Sequence, residues 1–161
     1  MTKFLLSVHV IAAILAVGTI AVATSLFPRY ATQMVTDKGG DEGRPSGVAW
    51  FLHRVCRGYA VAGLVVPVFG FATATQLGVL TDAWLIASMV LTALAAVLLA
   101  GAILPRQQRL LALAGQDSAD ADDAALNAAA SRLAMLTGTF NLLWSVVVVL
   151  MIVRPGSTTG A

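Results

Sequence analysis

Long apolar runs alternate with short polar stretches along this chain. The runs occupy residues 4–27, 55–78, 83–104 and 133–153. Each matches the roughly 20 apolar residues a helix needs to cross the hydrocarbon layer. Three of them end where a proline meets an arginine, at Pro28-Arg29, Pro105-Arg106 and Arg154-Pro155. Proline cannot continue the hydrogen-bond ladder, and arginine resists lipid. The pattern predicts an all-α polytopic membrane protein, an antiparallel four-transmembrane-helix bundle forming one membrane domain over residues 1–161. The short stretch at 75–82 makes spans two and three antiparallel neighbours. The longer connectors lie at 29–50 and 106–131.

Composition sharpens this picture. Hydrophobic residues make up 58% of the 161 residues and charged residues 11%, against about 25% charged in a soluble domain. Too few charges remain for a water-facing surface, which argues against a soluble enzyme. The connectors at 29–50 and 106–131, with their edges, carry Arg29, Lys38, Arg44, Arg54, Arg57, Arg106, Arg109 and Arg132. The opposite side carries only Lys3 and Arg154. The positive-inside bias therefore places both connectors in the cytoplasm and both termini outside, in the inner (plasma) membrane. Trp50 and Trp84 fall where interface aromatics belong. The N-terminus imitates a secretory signal, with Lys3, an apolar run and Ala21-Val22-Ala23, but the run continues past that site and reads as a retained first span. A net charge of +2 is too small to imply nucleic acid, and the single Cys56 excludes an internal disulfide and a multi-cysteine metal site.

The connectors hold no recognisable ligand loop. The glycine-rich segment 37–45 lacks a preceding strand and a Gly-Lys-Ser/Thr, so it reads as a flexible linker rather than a phosphate cradle. Asp120, Asp122 and Asp123 lack the glycine and glutamate of a calcium loop. They suit the first turn of an alanine-rich helix leading into span four. Residues 106–111 extend the third helix, and the tail 156–161 reads as mobile.

Polar groups inside the spans are the site candidates, because each is costly in lipid. His9 stands ~9 Å inside the outer end of span one, on a face shared with Ala12, Ala13 and Ala16. It is either a ligand for haem iron or copper, or a donor across a helix contact. Thr73, Ser88 and Ser145 lie at matching depth as interhelical partners, and Asn141 with Thr137 and Ser145 marks one polar face of span four. His53 lies ~20 Å deeper than His9, so the two cannot share one haem. With Arg54 and Arg57 it reads as an interfacial cluster contacting lipid headgroups. Cys56 reads as a small inert residue. Pro67, flanked by Gly63 and Gly70, is expected to bend span two. No Asp, Glu or Lys occupies a span centre, which argues against a proton-coupled or cation transporter, and no acid is placed to orient His9 as in a hydrolase triad.

The run from Leu6 through His9 to Gly18 (Leu6-Ser7-Val8-His9-Val10-Ile11-Ala12-Ala13-Ile14-Leu15-Ala16-Val17-Gly18) resembles the first span of four-span bacterial membrane proteins in the copper-resistance-D-like group. The ending Leu150-Met151-Ile152-Val153-Arg154-Pro155-Gly156 resembles the close of one branch, a family of predicted integral membrane proteins of unknown function. More distantly, the chain is similar to the membrane protoporphyrinogen oxidases of the haem pathway. That resemblance implies His9 as an axial ligand of haem b. The chain departs from the oxidases at Ala16, where they carry tryptophan, and at Pro28-Arg29, which falls about one helical turn later.

Two functions follow as expectations. One is a small non-catalytic protein of the lipid bilayer, an accessory or assembly subunit of a larger membrane complex. The alternative is a haem b or copper protein using His9 for electron transfer or cofactor handling.

Overall fold

A computed structural model describes residues 2–36, 44–114 and 123–156. Residues 37–43 of the glycine-rich segment, Asp120, Asp122 and most of the tail lie outside these residues, while Arg44 and Pro45, expected in the linker, begin a helix. Six α-helices and one π-helical segment make up the described chain: α1 (Thr2–Thr36), α2 (Arg44–Ala62), α3 (Val65–Leu77), α4 (Ala83–Leu98), the π segment (Leu99–Ile103), α5 (Leu104–Ala114) and α6 (Asp123–Val153). Among the described residues there is no strand. Four stretches are long and apolar enough to cross a membrane: Lys3–Gln33, Gly47–Leu77, Ala83–Leu113 and Ala124–Val153. The result is an all-α four-span bundle.

Side-chain pairings give the direction of the helices. His9 of α1 meets Val66 of α3, while Phe27 of α1 meets His53 of α2. Spans one and two therefore run antiparallel. His53 pairs in turn with Gln107 of α5, and Trp84 at the start of α4 meets Arg154 at the end of α6. Helix α1 packs on α2, α3 and α6, and α6 also packs on α4.

The helices overrun the boundaries expected from the prolines. Span one passes through Pro28 to Thr36 instead of stopping. Pro28 deprives the Thr24 carbonyl of its usual donor. Neighbouring hydroxyls nevertheless bind the backbone on both sides of this point: Thr24 donates to the Ile20 carbonyl at 2.8 Å, and Thr32 to the Pro28 carbonyl at 3.2 Å. Span three likewise passes Pro105 and continues as α5. Just before it the helix widens, and the Leu104 amide donates to the Leu99 carbonyl five residues back. A widened turn holds one residue more than an α-turn.

Span two bends as Pro67 and its glycines predict, and the bend is a break. Helix α2 ends at Ala62, and α3 starts at Val65. The Gly63 carbonyl, which a residue at 67 would normally satisfy, accepts from the Val66 amide at 3.1 Å. At its other end α3 closes on Gly78, whose φ of 70° is the left-handed cap that glycine adopts without strain.

The buried centre lies toward the end of the bundle where the basic connectors attach. It is built from Phe27, Ala31, Leu52, Cys56, Leu99, Ile103, Leu110, Leu133 and Phe140. Ala74, Trp84 and Leu85, with Met151 against them, form a smaller cluster at the other end. Large apolar side chains cover the outside, among them Ile14, Val22, Phe71, Val97, Leu142 and Ile152. Lipid tails are as apolar as these residues, so nothing drives them inward.

Candidate functional site

His9 sits in a seat made by α3. Its ring is buried, and Nδ1 lies 2.8 Å from the Val66 carbonyl oxygen. A carbonyl only accepts, so Nδ1 carries the proton and the lone pair falls to Nε2. The ring fits because residue 70 has no side chain. A Cβ there would stand 2.8 Å from His9 Cε1 and 3.1 Å from Nδ1. The bend at Pro67 and the bare Gly70 thus serve one contact, an imidazole laid against a helix backbone. Thr73, Ser88 and Ser145, expected as possible partners of His9, turn away from that role. Each hydroxyl donates to its own helix, to Phe69, Trp84 and Asn141 carbonyls at 2.7, 2.8 and 2.9 Å. A hydroxyl in a helix reaches the carbonyl four residues back more easily than a neighbouring helix.

The donor chemistry of His9 suits a metal. Ligating histidines commonly donate their second nitrogen to a backbone carbonyl, which fixes the ring and leaves the other nitrogen free to bind. The packing suits a macrocycle less well. The ring is 8% exposed and rests on Gly70, so little of it is open to a haem face. Among the described residues no three His, Cys, Asp or Glu side chains group closely enough to hold a metal ion.

A second polar cluster lies near the other end of the bundle. His53 Nδ1 donates to Gln107 Oε1 at 3.0 Å, and the Gln107 amide nitrogen donates to Cys56 Sγ at 3.6 Å. Gln107 and Cys56 are fully enclosed, and the His53 ring meets the edges of Phe27 and Trp50. This corrects the expectation that His53 joins Arg54 and Arg57 at the lipid headgroups. His53 is buried, whereas Arg54 and Arg57 are exposed. A helix turns about 100° between His53 and Arg54, which carries that arginine off the buried face, and Arg57 stands one turn further along α2. Gln107 was not among the expected site residues, because it follows Pro105-Arg106 in a stretch that reads as connector. Its signal lay in phase, one turn before the apolar pair Leu110 and Leu111.

Span four bonds to span one through Asn141 Nδ2, which donates to Ser25 Oγ of α1 at 3.3 Å. Of the residues expected on the polar face of span four, Thr137 is buried, Asn141 half-buried and Ser145 exposed, and Trp144 beside them is half-buried. In the smaller cluster, Trp84 is buried at the start of α4. Its indole nitrogen donates to Asp82 at 3.0 Å, and the Arg154 guanidinium lies 5.6 Å over its ring.

No protein-family model, curated protein or solved structure matches the chain.

Proposed function

We propose that this chain is a small non-catalytic integral membrane protein, an accessory or assembly subunit of a larger complex in the inner (plasma) membrane, with both termini outside. The supporting observation is how the spans use their polar groups. Both imidazoles are closed into helix contacts, His9 on Val66 and His53 on Gln107. The chemistry inside the bundle thus holds the bundle together, and recognition falls to the apolar outer faces of the spans. Those faces are wide, and nearly all of each long helix lies within a span. The test is native electrophoresis of gently solubilised membranes carrying the chain at its natural level. The chain is expected in one larger assembly of fixed stoichiometry; migration as a free chain would overturn the reading.

A second reading, cofactor binding at His9, is favoured by one observation: the Nδ1 bond to Val66 leaves the lone pair of Nε2 to ligate a metal. An absorption spectrum of protein from its native membrane decides it. A Soret band lost in His9→Ala establishes haem, and a colourless protein with no bound copper removes this reading.

A further inference from the structure

Three buried polar atoms on α6 have no hydrogen-bond partner among the described residues: Thr137 Oγ1, Asn141 Oδ1 and Trp144 Nε1. Positions 137, 141 and 144 fall on one stripe of a helix, separated by rises of about 6 and 4.5 Å. Thr137 is 3% exposed, and beside the stripe Phe140 is 1% exposed. Asn141 points its other amide atom to Ser25 of α1, so the stripe runs along the seam between α6 and α1. These positions lie near the middle of the span Ala124–Val153. In the hydrocarbon layer an unsatisfied polar group is costly, because no solvent is present to replace the missing partner.

The unpaired set has a defined chemistry. Trp144 offers only a donor, Asn141 Oδ1 only an acceptor, and the Thr137 hydroxyl either. An anion would leave Asn141 unpaired, and a cation would leave Trp144 unpaired. A neutral molecule that both donates and accepts satisfies all three. The smallest is water, which in protein interiors makes about three hydrogen bonds to groups of this kind. One water links two groups about 5 Å apart, so two are enough for the stripe. We propose that the seam between α1 and α6 is a mid-membrane binding site for one or two water molecules, held by Thr137, Asn141 and Trp144. Such a site does not depend on which complex the chain joins.

The test uses the full chain in lipid nanodiscs, with its tryptophan indole nitrogens labelled with ¹⁵N and the Trp144 resonance identified by its loss in Trp144→Phe. A magnetisation-transfer cross-peak from water to the Trp144 indole proton is expected, lost in Asn141→Leu and in Thr137→Val and kept in Thr137→Ser. If the leucine and valine variants fail to fold, the unaltered chain still decides. A Trp144 proton that couples to lipid acyl chains, to a protein acceptor or to a co-purified small molecule, and not to water, overturns the proposal.

Discussion

Gly70 and His9 show how one missing side chain sets a contact between two spans. A methyl group at residue 70 would collide with the imidazole at Cε1, and the atom in its way is part of a ring that is itself bonded to Val66. Gly70→Ala is therefore expected to push His9 out of its seat and to destabilise the bundle by about 1–3 kcal/mol. In a His9→Ala background the same change has nothing to strike, so its effect falls toward zero. Reversible unfolding in mixed micelles of the two single variants and the double variant measures this coupling. Equal effects of Gly70→Ala in both backgrounds would refute it. At the other end of the bundle, Gln107 is fully buried and is the acceptor for His53. Gln107→Leu leaves an imidazole donor unpaired and is expected to cost about 1–3 kcal/mol. Arg106→Ala, one residue away on the exposed face, is expected to change stability by less than about 0.5 kcal/mol. Thermal melts of both variants in one detergent check the contrast.

Among the elements, the widened turn at Leu99–Ile103 holds an extra residue between two regular helices. Removing one residue there restores an α-turn and leaves α5 in phase with α4. Deletion of the exposed Gly101 is therefore expected to keep Gln107 on His53 and to retain the folded bundle. Deletion of Val90, within regular α4, turns everything beyond it by about 100° and is expected to abolish folding. Expression and a melting transition for each deletion distinguish the two. The four spans and the bend at Pro67 were legible in the chain, because hydropathy and missing amides act locally. The helix ends were not. Pro28 and Pro105 look like stops, yet each lies inside a continuous helical run, Pro28 within α1 and Pro105 in the first turn of α5 directly after the widened turn. The candidate site was legible only in part. His9 stood out by its cost in lipid, but its partner is a backbone carbonyl, and every residue has one of those. The inward turn of His53 and Gln107 depends on helical phase across two spans, which a charge cluster such as Arg54 and Arg57 obscures.

For the whole molecule, the lone Cys56 lies at the centre of the larger core and is fully enclosed. It is expected to resist maleimide in the folded bundle and to react at the rate of a free thiol in denaturant. Fast labelling under native conditions would contradict the packing of α2 on α5. With Cys56→Ala as background, Lys3→Cys is expected to react with a membrane-impermeant reagent on intact cells, and Lys38→Cys only after the membrane is opened. The reverse result would invert the orientation proposed from the basic residues.

The break at Gly63–Leu64 divides span two into arms with different moorings. The inner arm, α2, is pinned by α1 and, through Gln107, by α5, whereas the outer arm, α3, rests chiefly on α1. Amide hydrogens should therefore trade for deuterium earliest from the joint outward. The outer half of the span would breathe while the half around His53 stays shut, and His9 would be the side chain whose seat opens each time.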